Sequence, residues 1–168
     1  MEQTDQTQLN RLFEQIYRDN YEKISRYCFY QVKNKSDTED LVSDTFARAY
    51  QYLGRFQGEM YSAWLYQIAR NLINDRYRRT NRYVDGEKIL EYIGSDTDIE
   101  ENVIKNDEYK QVIEILELLK KEYREVLILK YVNEMEYPEI AQILGKTENA
   151  TRLLVFKALK IVRKYAGR

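Results

Sequence analysis

The chain has 168 residues, with 27 Lys and Arg against 28 Asp and Glu, a formal charge of −1, no His, one Cys, one Pro and six Gly. The lack of His excludes a Ser-His-Asp triad, a His general base and a His metal ligand, and a lone Cys excludes a disulfide frame or a Cys-rich zinc site. Scarce Gly and Pro disfavour a β-rich fold, the apolar runs are too short for a membrane span, and the start Met1-Glu2-Gln3-Thr4-Asp5 lacks a basic and apolar leader. A soluble, cytoplasmic, all-α protein is expected, with an unusual sixteen Tyr.

Taken in chain order, Leu9, Leu12, Phe13, Ile16 and Tyr17, then Ile24, Tyr27, Cys28 and Val32, recur at helical spacing. Asn34-Lys35-Ser36 interrupts the pattern. Ser36 with Glu39 reads as a capping box, so a second helix is predicted to start near Asp37. Its buried face holds Val42, Phe46, Ala49, Tyr50 and Leu53. Gly54 and Gly58 bracket a loop around Phe56. A third helix is predicted from about Tyr61 to Arg79, with Trp64, Leu65, Ile68, Ala69, Leu72 and Ile73 as its apolar stripe.

Residues 86–110 carry three basic and eight acidic side chains, a net of −5, against +1 for residues 1–85 and +3 for residues 111–168. With Gly86, Gly94 and Ser95-Asp96-Thr97-Asp98, the middle stretch reads as an acidic linker between two small domains, 1–85 and 111–168.

Beyond it, Val112, Ile113, Leu116 and Leu119 mark one helix, and Val126, Leu127, Leu129 and Val132 another. Pro138 suits a helix start and Gly145 its stop, and Thr147 can cap a last helix running to about Lys164. Two helices joined by a short Gly-containing turn form a helix-turn-helix signature.

Three constellations bear on function. The stretch from Arg70 to Arg82 holds five Arg against one Asp, with Asn71, Asp75 and Arg78 at i, i+4, i+7. Amides and guanidinium groups read base edges and clamp phosphates, although a solvated helix end would look similar. Beside it lie Phe56, Tyr61, Trp64, Tyr66 and Tyr77, rings on which unpaired bases can stack. Trp64 reads as core by its place on the stripe, whereas Phe56 sits in a loop. The third is Asp37, Asp40 and Asp44, an acidic stripe opposite an apolar face. With no nucleophile, His or phosphate loop nearby it reads as a solvated or partner-binding face rather than a catalytic or metal site. No enzyme activity and no cofactor are expected. Cys28 reads as a small buried hydrophobe.

The stretch Asp37-Thr38-Glu39-Asp40-Leu41-Val42-Ser43-Asp44-Thr45-Phe46-Ala47-Arg48-Ala49-Tyr50, continued by Arg55-Phe56-Gln57-Gly58 and by the run from Ala63 to Asp75, resembles the second domain of bacterial extracytoplasmic-function sigma factors of the sigma-70 family. The runs Tyr123 to Tyr131 and Tyr137 to Gly145 resemble their fourth domain. Nearly the whole chain is covered, in the family's order.

The resemblance implies a non-enzymatic protein that binds core RNA polymerase and directs it to promoter DNA, plausibly in a stress or envelope response. Residues 1–85 would meet the −10 element and residues 111–168 the −35 element. The polymerase face maps to Asp37, Asp40, Ser43 and Asp44, docking on the clamp helices; the family usually has Gln-Glu where this chain has Ser43-Asp44. Phe56, Asn71 and Asp75 would receive a flipped −10 base, with Arg76, Arg78 and Arg79 on phosphates. The acidic linker would run toward the RNA path. An anti-sigma factor is an implied partner, and no membrane insertion is implied. On the last helix, Glu148, Asn149, Arg152, Lys157 and Lys160 map to the −35 contacts. Leu153, Leu154 and Phe156 depart from the family's polar pattern. Contact with thymine methyls, cover by an inhibitor, or a tilted helix that buries them would each explain it. The competing reading is a dimeric helix-turn-helix regulator that binds duplex DNA without polymerase, which leaves the Trp64 helix without a task.

Overall fold

A computed structural model describes residues 2–83 and 107–167, and every described element is a helix or a helical turn. The chain divides into two compact units, on either side of a boundary in the undescribed stretch. Most of the 86–110 segment lies outside the described residues.

In the first unit, α1 (Glu2–Val32), α2 (Lys35–Tyr52) and α3 (Tyr61–Tyr83) pack pairwise, with a single 3₁₀ turn, Leu53–Arg55, after α2. The core joins Ile16, Ile24, Tyr27 and Cys28 of α1 to Leu41, Val42, Phe46 and Ala49 of α2 and to Leu65, Tyr66, Ala69 and Ile73 of α3. Each large apolar side chain buried here contributes roughly 1.5–3 kcal/mol. Two polar groups in this core bond back to backbone: Asn20 Nδ2 donates to Ile16 O at 2.8 Å, and Thr45 Oγ1 to Leu41 O at 2.6 Å. Burial pushes the Cys28 thiol up to about 12, because the thiolate would lose its hydration.

The structure corrects several expectations. Helix α2 starts two residues before the expected Asp37, because Asn34 rather than Ser36 caps it: the Asp37 N–H donates to Asn34 Oδ1 at 2.8 Å. Lys33, at φ 53°, ends α1 and turns the chain so that Asn34 reaches the cap position. Tyr50 is 41% exposed rather than buried, and its hydroxyl donates to Asn10 Oδ1 at 2.9 Å. On α3, Ala63 and Tyr66 join Leu65, Ala69, Leu72 and Ile73 in the core, while Trp64 and Ile68 are only half-buried. Packing on Tyr27 takes Tyr66 inward, ring centroids 5.2 Å apart, and rotates Trp64 toward the rim.

The second unit comprises α4 (Asp107–Leu118), α5 (Lys121–Leu127), a π turn over Ile128–Val132, α6 (Tyr137–Leu144) and α7 (Glu148–Ala166). Thus α4 begins inside the 86–110 stretch. Ile113, Leu116 and Leu119 pack with Val126, Ile128, Leu129, Ile140, Ile143, Val155 and Ala158, and Val112 is exposed. Arg124 closes the C-terminus of α4, its Nε donating to Leu116 O at 2.9 Å and its Nη2 to Leu119 O at 3.2 Å. Leu116 O also accepts from the Leu119 N–H at 3.3 Å, and a cation suits the negative end of the helix dipole.

The turn between α6 and α7 matches expectation. Pro138 lies in the first turn of α6, and Gly145 ends it in the left-handed region at φ 63°. The Lys146 N–H reaches back to Ala141 O at 2.9 Å. Thr147 then caps α7, its Oγ1 accepting from the Ala150 N–H at 3.1 Å. Three residues therefore reverse the chain and fix the start of α7.

Candidate nucleic-acid interface

In the first unit, Phe56 follows the 3₁₀ turn, its N–H bonded to Leu53 O at 3.1 Å. Its ring stacks on Trp64, with centroids 4.5 Å apart and planes 24° apart, and tilts against Tyr61 at 5.0 Å. Gly58 makes room for that ring: a Cβ there would lie 2.5 Å from Phe56 Cζ. The loop ring is therefore held by neighbours rather than free in solvent, and all three rings are half-buried.

From Trp64 the same face of α3 continues through Ile68, Asn71, Asp75 and Arg78, alternating four- and three-residue steps that keep one side of a 3.6-residue helix. Asn71 and Arg78 are exposed and Asp75 is half-buried, with Arg78 Nη1 3.9 Å from Asp75 Oδ1. An apolar stacking platform thus leads into a row of amide, carboxylate and guanidinium groups. Tyr66 and Tyr77 are not part of it. Tyr66 is fully buried, and the Tyr77 hydroxyl donates to Gln31 O at 2.7 Å, tying α3 to the end of α1.

On α2, Asp40, Ser43 and Asp44 are exposed on one face. Asp37 is not available in the same way, for its Oδ1 pairs with Arg76 Nη2. Two residues expected on separate surfaces, one facing polymerase and one facing phosphate, are therefore partners of each other. With about 40% of each side chain exposed, 41% and 36%, the pair resembles surface bridges worth on the order of 0.2–1 kcal/mol. Beside Ser43 lies a groove of about 440 Å³ between α1 and α2, lined by Phe13, Tyr17, Tyr21, Phe46 and Tyr50. The sequence reading missed it. Its signal is the 13, 17, 21 aromatic spacing along α1: Phe13 and Tyr17 fall on the expected apolar pattern and Tyr21 does not figure in it, yet Tyr17 and Tyr21 are 40% and 42% exposed.

In the second unit, Glu148, Asn149, Arg152, Lys157 and Lys160 are all exposed on α7. Arg152 Nη2 bonds Glu148 Oε1 at 2.5 Å, and its guanidinium lies over the Tyr137 ring at 4.3 Å. Lys130 Nζ approaches the same ring at 4.7 Å. Tyr137 thus contacts a cation from α7 and one from the π turn, and Arg152 is drawn to the edge of α7. Of the three unexpected apolar residues, Leu154 is buried, while Leu153 and Phe156 are 52% and 61% exposed.

Among the described residues no group of three or more His, Cys, Asp or Glu is placed to hold a metal ion, and no helix is long and apolar enough to cross a membrane.

Two helical units, one with a ring-and-arginine stripe and one with a helix-turn-helix, have the architecture of a DNA-directed regulatory protein. Residues 16–83 match the Sigma-70 region 2 model and residues 109–162 the Sigma-70 region 4 model. The chain is similar to the ECF RNA polymerase sigma factor SigW of Bacillus subtilis, 31% identical over 161 residues, covering 89% of this chain and 84% of SigW. It is 32% identical over 139 residues to the RNA polymerase sigma factor YlaC of the same organism, covering 79% of each. It is also 29% identical over 152 residues, 88% of the chain, to the ECF sigma factor BldN of Streptomyces coelicolor, of whose length it spans 58%. The solved structure of CnrH in complex with the cytosolic domain of CnrY shares the fold, with a TM-score of 0.71 at 24% identity, over 94% of this chain and 89% of CnrH. The chain belongs to the sigma-70 family, as an ECF-type sigma factor.

Proposed function

We propose that this chain binds core RNA polymerase in the cytoplasm and directs it to promoters through a −10 element, read by the first unit, and a −35 element, read by the second. The observation that carries this reading is the stripe on α3, where the Phe56–Trp64 stack runs into Asn71, Asp75 and Arg78 on one face. Such a surface suits an unpaired base: a flipped base costs a few kcal/mol to extract, and stacking and edge hydrogen bonds offset that. Trp64 and Tyr61 join Phe56 as the stacking platform. Asn71 and Asp75 offer donor and acceptor atoms to a base edge. Arg78 and Arg79, both exposed, take phosphates, and Arg76 holds Asp37 in the free protein.

Asp40, Ser43 and Asp44 supply the polymerase-docking face, bordered by the aromatic groove. Carboxylates on a basic partner surface speed and orient docking. In the second unit, α7 enters the −35 major groove. The role is to bind and place, with no covalent step assigned to any residue. An anti-sigma factor would hold the free protein, and a stress or envelope signal would release it.

The test uses purified chain, core polymerase and run-off transcription on genomic fragments. Wild-type chain should associate with core and support initiation. Changing Asp40→Arg and Asp44→Arg together should weaken core association at least tenfold. Arg152→Ala should leave core association intact and lower transcription. Tight promoter binding without core would favour the dimeric regulator instead, and initiation unaffected by the double α2 change would remove the docking assignment.

A further inference from the structure

Helix α7 carries five basic side chains, Arg152, Lys157, Lys160, Arg163 and Lys164, against the one acid Glu148. Its inward face is set by Thr151, Leu154, Val155 and Ala158, all buried. At about 100° per residue, the line opposite that face runs through Asn149, Leu153, Phe156 and Lys160. The two exposed apolar side chains therefore stand at the centre of the outward ridge, and the charged ones stand at its sides and end. Arg152, which the resemblance maps to the −35 contacts, stands to one side of that line and is engaged by Glu148 and Tyr137.

Resting on the function proposed above, we propose that Leu153 and Phe156 form an apolar reading edge on α7 that selects thymine methyl groups in the −35 element. The charge of α7 names the occupant. A helix with an excess of cations along its flanks is complementary to a groove walled by phosphates, and a major groove about 12 Å wide admits it. Size agrees. Two side chains fall far short of the roughly 800 Å² per partner that a stable protein interface buries, but they match the scale of a methyl contact. Thymine is the base that places an apolar group in the major groove. Asn149, at the front of the ridge, can bond an adenine edge, and Lys160, at its rear, a phosphate. The −35 element is then A·T-rich where the ridge meets it.

The test selects −35 sequences from a randomised duplex with the reconstituted holoenzyme. The selected site is then synthesised with deoxyuridine for thymine at each position, which removes only the methyl. Binding should fall about fourfold per lost methyl at one or two positions, the value of one buried CH₂-sized group. The Leu153→Ala, Phe156→Ala double variant should bind thymine and deoxyuridine sites equally. Both side chains are exposed, so its thermal unfolding should match wild type, and the base substitution needs no variant at all. If wild-type holoenzyme binds and initiates but ignores every methyl, or if the double variant keeps the discrimination, the inference is overturned while the proposed function stands. A ridge that faces a protein partner gives that result. If core polymerase with this chain initiates nowhere, both fall.

Discussion

A single glycine sets the position of the ring that begins the α3 stripe. Phe56 lies over Gly58, and the free space there is the absence of a Cβ. Gly58→Ala should push the ring off Trp64. An aromatic pair is worth about 0.5–1.5 kcal/mol beyond its buried area, so the stability loss should stay near 1 kcal/mol. Trp64 is the one tryptophan in the chain. Its emission should therefore change, and run-off transcription should fall, while a spectrum identical to wild type would show that the ring had not moved. At this scale the sequence was partly readable. Cys28, Leu65 and Ile73 are buried as expected, but Trp64 and Tyr66 exchanged places. An apolar stripe fixes a helix face only to within about one residue of rotation, and the run Trp64-Leu65-Tyr66 is apolar throughout, so only packing against Tyr27 could choose. The pairing of Asp37 with Arg76 was likewise invisible, because it joins residues 39 apart in the chain.

The helix ends are the most legible feature among the elements. Pro138, Gly145 and Thr147 act where local chemistry places them, since each works through its own backbone or the next turn. Gly145→Ala meets no atom within 4 Å of the new Cβ, so its cost is the left-handed backbone alone. It should lower the stability of the second unit by about 1–2 kcal/mol, read by urea unfolding. A cost near zero would mean that the turn had relaxed to another conformation. The start of α2 is ambiguous in the sequence because Asn34 and Ser36 are both good caps, and the choice depends on where Lys33 ends α1. The π turn at Ile128–Val132 left only an indirect trace. Val126, Leu127, Ile128 and Leu129 are buried in succession, which a regular α-helix cannot achieve on one face. A widened turn helps bring such a run inward.

Charge is the property of the whole molecule that matters most. The total of −1 combines +1, −5 and +3 over residues 1–85, 86–110 and 111–168. An acidic stretch covalently joined to basic surfaces competes with DNA phosphates at an effective concentration set by chain length. Replacing Asp96, Asp98, Glu100 and Glu101 by their amides should raise the free chain's affinity for non-specific duplex DNA several-fold at low salt. The gain should fade at high salt, where charges beyond about 3–10 Å are screened. Fluorescence anisotropy with a labelled random duplex measures it, and an unchanged affinity would deny the segment any competing role. Two units and an acidic stretch between them were legible from composition. The aromatic groove was not, because exposure of Tyr17 and Tyr21 depends on how α1 crosses α2.

The single thiol has a practical consequence. Buried and held protonated far above neutral pH, Cys28 is a poor target for maleimides in the folded protein. A cysteine introduced on the surface of either unit would then be the preferred attachment point without removal of the native one. Pairs of such dyes would allow the separation of the units to be followed by energy transfer, free and on polymerase, in an otherwise unaltered chain.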